Sequence, residues 1–418
     1  MPNDDVARQV RASYEQLPYP AVTRAALRRP RWQLPPPDWI GAVAQPEHTP
    51  RRILIAGCGT GLEAFAFHRR FPKAEIVGVD FAARSIRLAR NLQQRAAPRG
   101  DLRFLRADLT SDRLLRQTGG EFDFISCHGV VSYLPAVERA LGNLADCLTK
   151  TGILYLGVNG PLHFSEGWRK FLPAFGFDMA RWPGGGHRLW RHLKLAACLA
   201  DDGRGDVLRH GPRYLGSDLF GSLIRNLPLA EWTRMCRDAG LHLRGCHGIQ
   251  RLLWPAINDG SYPLFLPRSR GEIAELLDAL HPSGFYRLVF TRQPEPAPPW
   301  QNKAALLRWY PRRTPCFRHF QWKTGSRARV LKLESRSANI SIELRGGGWE
   351  AGLLRASDGT RSIGELLGLN KKRVTPAALR SQLYLFYLFD LLNFLPPMPR
   401  WEISGERTPH RGRSAAPG

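Results

Sequence analysis

Ten residues near the start of this chain limit its fold more than any other stretch. Arg52-Ile53-Leu54-Ile55-Ala56 reads as a short apolar strand, Gly57-Cys58-Gly59-Thr60-Gly61 as a glycine-rich turn, and Leu62-Glu63-Ala64-Phe65-Ala66-Phe67 as the start of a helix. Strand, glycine turn and helix make a corner that handles nucleotides, because backbone N–H groups and a helix N-terminus converge there. Glycine lets the backbone turn sharply and come close to a ligand where a Cβ would intrude. The dinucleotide fingerprint needs a third glycine at position 62, which Leu62 occupies, and no lysine in the turn supplies the phosphate contact of a P-loop.

Three further units follow in order. Ile76-Val77-Gly78-Val79-Asp80 is a second apolar strand ending in a carboxylate able to accept from both hydroxyls of a ribose. Leu102-Arg103-Phe104-Leu105-Arg106-Ala107-Asp108-Leu109 ends in another acid, suited to an adenine amino group. Phe122-Asp123-Phe124-Ile125-Ser126-Cys127-His128-Gly129-Val130 closes the series. In content, order and spacing these four units resemble the motifs of class I S-adenosylmethionine-dependent methyltransferases. The resemblance implies S-adenosylmethionine as cofactor, held by Gly57, Cys58, Gly59, Gly61, Asp80, Phe81, Asp108, Leu109, Cys127 and His128. It also implies a Rossmann-like α/β domain whose seven-stranded sheet ends in an antiparallel hairpin.

Alternation of strand and helix over 51–160 independently predicts a parallel sheet covered on both faces. Gly152-Ile153-Leu154-Tyr155-Leu156-Gly157-Val158 is expected to be the fifth strand, Leu241 to Cys246 the sixth and Phe285 to Arg292 the last. Gly57, Asp80, Asp108, His128 and Asn159 would then lie at carboxyl ends of strands, where open sheets bind ligands. Residues 161–227 break the rhythm with Gly184-Gly185-Gly186, tryptophans and basic residues, and are expected to form a helical insertion over the site. The methyltransferase domain is thus placed at 51–293, behind an N-terminal helix and extended segment at 1–50.

"YEQLPYP" at 14–20 is similar to an N-terminal signature of several bacterial class I methyltransferases, and the likeness puts Tyr14 and Tyr19 over the cofactor and substrate pocket. Pro294 to Pro299 reads as a stiff linker. Beyond it, 303–400 resembles a smaller α+β winged-helix-like domain, in which Thr375-Pro376 is a good helix start. The tail 401–418 is expected to be disordered. The whole arrangement resembles bacterial methyltransferases with a C-terminal regulatory domain, some of which methylate lysines of outer-membrane proteins.

Composition narrows the partners. The chain has 418 residues, with 61 Lys+Arg against 36 Asp+Glu, a net charge of +25. Such a balance permits nucleic acid as a partner, but no long basic block or aromatic RNA-binding segment accompanies it, so association with nucleic acid is the lesser expectation. Seven scattered cysteines without a C-x-x-C pair argue for a reducing, cytoplasmic setting and against structural zinc. No apolar run reaches membrane-spanning length. Where adenine-type amino methyltransferases carry an N-P-P-Y-like segment, this chain has Ser126-Cys127-His128-Gly129, which argues against nucleobase acceptors. The expected acceptor is a protein side chain such as lysine, or a small metabolite. His128 and Tyr133 are the candidate catalytic residues, and Tyr14, Tyr19 and Asn159 the candidate substrate contacts. The alternative is a regulatory protein that keeps the cofactor fold and meets nucleic acid or a partner through its C-terminal domain.

Overall fold

In the computed structural model, strand β1 (Arg52–Ala56) is an interior strand of a seven-stranded sheet. The model describes residues 2–16, 18–20, 35, 37–44, 49–96, 100–174, 176, 218–219, 221–316, 323–324, 329–335, 340–345, 349–369 and 374–397. Gly184-Gly185-Gly186 and most of the insertion, the basic stretches at 24–31 and 371–373, Cys198 and the tail lie outside the described residues.

The apolar runs explain the sheet. Along β1, Leu54 belongs to one buried cluster while Ile53 and Ile55 belong to another on the opposite face. β2 (Glu75–Asp80) divides the same way, with Val77 and Val79 on one side and Ile76 on the other. Strands apolar on both sides fit only a sheet covered on both faces. The remaining strands are β3 (Leu102–Arg106), β4 (Phe122–His128), β5 (Leu148–Asn159), β6 (His242–Cys246) and β7 (Phe285–Thr291). Their order is β3-β2-β1-β4-β5-β7-β6. The first five are parallel, and β7 runs antiparallel to both β5 and β6. This is the Rossmann-like class I methyltransferase sheet, with the order reversing between β1 and β4, so that a crevice opens at their carboxyl ends.

Numbered along the chain, helices α1 (Pro2–Gln16) and α2 (Pro37–Ala44) precede the sheet. Its connections carry α3 (Leu62–Arg70), α4 (Ala83–Ala96), α5 (Leu114–Thr118), α6 (Val137–Asp146), α7 (Phe164–Ala174), α8 (Leu229–Asp238), α9 (Ile249–Asp259) and α10 (Arg270–Asp278). The two described edges of the insertion are tied down. Arg169 Nη1 donates to the carbonyls of Leu219 (3.0 Å) and Gly221 (2.8 Å), and the Arg225 amide donates to the Ser132 carbonyl at 2.8 Å.

After the sheet come α11 (Lys303–Leu306), β8 (Tyr310–Arg313), an antiparallel sheet of β9 (Lys323–Thr324), β10 (Arg329–Ser335) and β11 (Ile340–Arg345), helices α12 (Trp349–Ala356), α13 (Ile363–Leu369) and α14 (Pro376–Leu388), and β12 (Leu392–Leu395). β12 pairs antiparallel with β8. Thr375 caps α14, its hydroxyl accepting from the Ala378 amide at 3.2 Å, and Pro376 begins the helix. Six consecutive α14 positions, Leu383 to Leu388, are buried, which marks a helix surrounded by protein.

This C-terminal segment does not hang from a free linker. Leu353, Tyr384 and Phe386 share one buried cluster with Leu156 and Phe290 of the main sheet. Glu295, inside the proline-rich stretch, pairs at 2.8 Å with Arg270 of α10. Arg270 also meets Asp390 at 2.8 Å, donates to the Tyr387 and Leu392 carbonyls, and stacks 3.9 Å from the centre of the Tyr387 ring. The guanidinium is 1 % exposed, so the five-donor fork is spent entirely inside the protein.

Candidate active site

The glycine turn is built for close approach. Gly57, Gly59 and Gly61 have φ of 73°, 52° and 92°, a region that favours glycine. A Cβ on Gly59 would stand 2.1 Å from the Tyr19 carbonyl oxygen, and one on Gly57 would stand 2.4 Å from Val130 Cγ2. The N-terminal segment is therefore seated directly on the turn. The Thr60 amide donates to the Tyr19 carbonyl at 3.2 Å and the Thr60 hydroxyl to the Pro20 carbonyl at 2.6 Å. Glu15 accepts from the Ala83 and Arg84 amides at 2.6 and 3.0 Å, supplying an anion to the N-terminus of α4. Arg11 pairs with Asp108 at 3.2 Å, and the Tyr14 ring meets Phe81 edge-on at 5.7 Å.

Beneath this cover lies a cavity of about 340 Å³ at the carboxyl ends of the strands. Gly57, Cys58, Gly59, Asp80, Phe81, Asp108, Leu109, His128, Tyr133, Asn159, Tyr14 and Tyr19 all line it. Two of the expected contacts do not. Cys127 is fully buried in the core beneath the sheet, because alternation along β4 turns its side chain away from His128. Gly61 starts α3 and faces Phe104 and Ala89. Lining residues not anticipated as ligand contacts include Glu63, Gly129, Val130, Asp218, Phe285 and Arg287. His163, just beyond the end of β5, lines it as well.

The cavity has two chemical ends. At one, Asp80 is 9 % exposed and accepts from the Gly59 amide at 2.9 Å and the Ala82 amide at 2.8 Å. Burial pushes its carboxyl up to about 6, with the two amides pulling it back. Glu63 accepts from the Ser126 hydroxyl at 2.5 Å, and burial pushes its carboxyl up to about 7. Asp108 accepts from the amide and hydroxyl of Thr110 at 2.9 and 2.7 Å. At the other end, the Tyr133 hydroxyl accepts from Asn159 Nδ2 at 3.2 Å and is hydrogen-bonded to Asp218. Burial first, then the Asp218 charge, raises the Tyr133 phenol well above its usual value, so it stays protonated. Asn159 Oδ1 is buried without a donor among the described residues. Burial lowers His128 to about 4, with the Arg287 charge adding to the effect, and burial likewise lowers His163 to about 4. Both imidazoles are therefore neutral near pH 7. The His128 ring lies between Tyr155 and Phe285, with centroids 5.6 and 5.1 Å away.

Glu63 gives a pH-dependent signature. Its folded value lies above its unfolded one, so the folded protein holds the extra proton between about pH 4.5 and 7. Its contribution to stability is fully present below that window and declines as pH rises through it. The cavity leaves the carboxyl partly accessible, so the effect is discounted to roughly 1–2 kcal/mol. Glu63→Gln, which removes the titration, is expected to flatten this part of the stability profile. Urea unfolding at intervals from pH 5 to 8 checks it, and parallel profiles for the two proteins would refute it.

Strand order and the glycine turn define the fold as the Rossmann-like sheet of class I methyltransferases, with two strand-end carboxylates on one cavity. Residues 54–154 match the family model of a methyltransferase domain. An uncharacterised protein of Synechococcus is 32% identical over 167 residues, covering 39% of each chain. The demethylmenaquinone methyltransferase of Thermus thermophilus is 37% identical over 109 residues, 26% of this chain and 47% of its own. The chain thus spans under half the length of these curated relatives. Among solved structures, PKMT2 from Rickettsia typhi superposes with a TM-score of 0.53 at 15% identity, covering 91% of this chain and 77% of its own. The same protein in complex with AdoHcy gives a TM-score of 0.52 at 16% identity, covering 91% and 78%. At these identities the likeness establishes the fold. Among the described residues no helix is long and apolar enough to cross a membrane, and no three His, Cys, Asp or Glu residues are grouped to hold a metal.

Proposed function

We propose that the protein is an S-adenosylmethionine-dependent methyltransferase whose acceptor is an amine, on a lysine side chain or a small metabolite. The observation that carries the cofactor assignment is the juxtaposition of the glycine turn with Asp80 and Asp108 on one cavity wall. The fit is good on the chemistry of the donor set. Gly57 and Gly59 let the turn pack against Val130 and the Tyr19 carbonyl, where a Cβ would clash, Asp80 offers lone pairs to ribose hydroxyls, and Asp108 offers an acceptor to an adenine amino group. Glu63 adds negative charge for the cationic part of the cofactor. AdoHcy is bound in the Rickettsia typhi PKMT2 complex, which supports the same ligand class here.

When bound, the cofactor supplies a methyl group activated by an adjacent sulfonium. The protein's remaining task is positioning, since alignment of the attacking atom about 3 Å from its target supplies much of such a rate. Asn159 Oδ1 supports an acceptor that brings an N–H, because a buried acceptor without a donor costs free energy until a ligand satisfies it. Asp218, Tyr14, Tyr19 and Tyr133 surround that end with one negative charge and aromatic rings, an environment suited to a cationic amine entering the site. His128 and His163, kept neutral, can accept a hydrogen bond or a proton as the amine becomes nucleophilic.

The test is calorimetric titration of the purified protein with S-adenosylhomocysteine, followed by labelled methyl transfer into cell extract. Saturable binding and a labelled amine support the reading. Absence of binding by the folded protein, or label found on oxygen, overturns the corresponding half. Within it, Tyr133→Phe removes the hydroxyl that joins Asn159 to Asp218. It is expected to lower kcat about tenfold to a hundredfold while leaving the dissociation constant for S-adenosylhomocysteine unchanged. Loss of cofactor affinity instead would move Tyr133 to the other end of the cavity.

A further inference from the structure

Behind the His128 side of the site lies a second cavity, of about 740 Å³. Phe285 and Arg287 of β7 line both cavities, and Tyr155, which lines the second, stacks on His128, which lines the first. The two spaces are therefore separated by one layer of side chains.

Arg251 and Arg287 make the second cavity cationic, with the imidazoles of His247 and His281 beside them and Asp278 as the one acid lining it. That acid is already engaged, accepting from the Leu229 amide at 3.0 Å and the Tyr286 hydroxyl at 2.7 Å. The N-terminus of α9 begins in the same wall, at Gly248, with no side-chain cap. Backbone N–H groups and the helix dipole at such an end favour negative charge. His247 Nε2 is buried without a hydrogen-bond partner among the described residues. Positive charge is concentrated enough here to act on neighbours. Burial first, then the Arg287 and Arg251 charges, lower His247 to about 4. Two arginines and a helix N-terminus around one space form a set of donors and positive charges suited to an anion.

We propose that this second cavity binds a carboxylate or phosphate group. Arg287, in the partition, would link its occupancy to the methyl-transfer cavity. The anion itself can be part of the methyl acceptor or a separate small molecule. The site stands on its own geometry, whereas its assignment to the acceptor rests on the function proposed above.

Inorganic phosphate and glutarate are the probes, titrated calorimetrically at constant ionic strength. The proteins are the wild type, Arg251→Gln, His281→Gln and Arg139→Gln. Arg251 and His281 are exposed, so their replacement leaves the core intact, while Arg139 lines neither cavity. Saturable binding of either anion is expected, weakened about tenfold to a hundredfold by Arg251→Gln, less by His281→Gln, and unchanged by Arg139→Gln. Failure of both anions to saturate overturns the site. So does an equal loss in Arg139→Gln, which would trace the binding to the net charge of +25. Adding phosphate to the labelled methyl-transfer assay distinguishes the sources. Lower incorporation by the wild type, but not by Arg251→Gln, puts the anionic group on the acceptor. Unchanged incorporation with phosphate bound makes it a separate ligand and overturns the link through Arg287. A protein that binds phosphate but not S-adenosylhomocysteine would retain the anion site and lose the methyltransferase reading.

Discussion

Asp80→Ala is expected to weaken binding of S-adenosylhomocysteine at least a hundredfold while the protein stays folded. The carboxylate stands at the end of β2, with each oxygen already fixed by a backbone amide, from Gly59 or Ala82. Those bonds hold the group rigidly and leave its other lone pairs for two ligand hydroxyls. Hydrogen bonds to a charged acceptor contribute about 1.5–3 kcal/mol each, so losing two reaches the hundredfold range or beyond. Folding is expected to survive because the substitution also removes a desolvated charge, which offsets the two amides left unpaired. The carboxyl value of about 6 adds a pH dependence, since only the ionised form accepts from both hydroxyls. Affinity of the wild type is expected to rise with pH through about 6 and then level off. Calorimetry on wild type and variant between pH 5 and 8 measures both effects. A folded Asp80→Ala protein with wild-type affinity would remove Asp80 from the cofactor site.

Arg270→Leu is expected to cause the largest loss of stability of any single substitution considered. It leaves Glu295 and Asp390 buried without their counter-charge, and strips donors from the Tyr387 and Leu392 carbonyls and from Asn393 Oδ1. Burial already pushes the Asp390 carboxyl up to about 6 despite the attraction of Arg270. Breaking a buried pair from one side costs about 3–5 kcal/mol. Against a total stability of about 5–15 kcal/mol, that is a large fraction. Arg270→Lys, which keeps the charge but not the planar fork, is expected to fall between the two. Urea unfolding followed by circular dichroism reads the difference. A loss below about 1 kcal/mol would mean that the carboxylates relax to solvent and that the C-terminal segment is held by its apolar contacts alone. The same experiment tests whether sheet domain and C-terminal segment unfold together, as their shared core implies.

Much of this architecture is legible along the chain because it is local. The run from Ile53 to Ala56, the turn at Gly57 and the apolar residues after it state strand, corner and helix within 16 residues, since each element's period is set by its own backbone. Asp80 and Asp108 are legible for the same reason: each follows a short apolar strand, and strand ends in such a sheet face the crevice. Cys127 could have been separated from His128 by alternation alone, as adjacent residues of a strand face opposite ways. Glu63 was harder, because an acid in the first turn of a helix ordinarily serves the helix dipole in solvent. Here the turn of Gly59 and Gly61 swings it into the cavity beside Ser126.

Other features exist only once the chain has folded. Arg287 and Phe285 reach the site because β7 inserts antiparallel between β5 and β6, and its pairing with β5 joins residues more than a hundred positions apart. Asp218 meets Tyr133 across the insertion, and although the YEQLPYP likeness places Tyr19 over the pocket, only the folded chain seats its carbonyl on Thr60. The charged triad of Arg270, Glu295 and Asp390 turns a proline-rich stretch that reads as a spacer into part of a buried joint. Backbone geometry and hydrophobic periodicity are properties of a few neighbouring residues, so the sequence by itself determined the sheet, the glycine corner and the acids at its strand ends. Burial, charge proximity and the pairing of distant segments depend on the closed structure, and they alone decided which side chains share the two cavities and how the C-terminal segment is fastened.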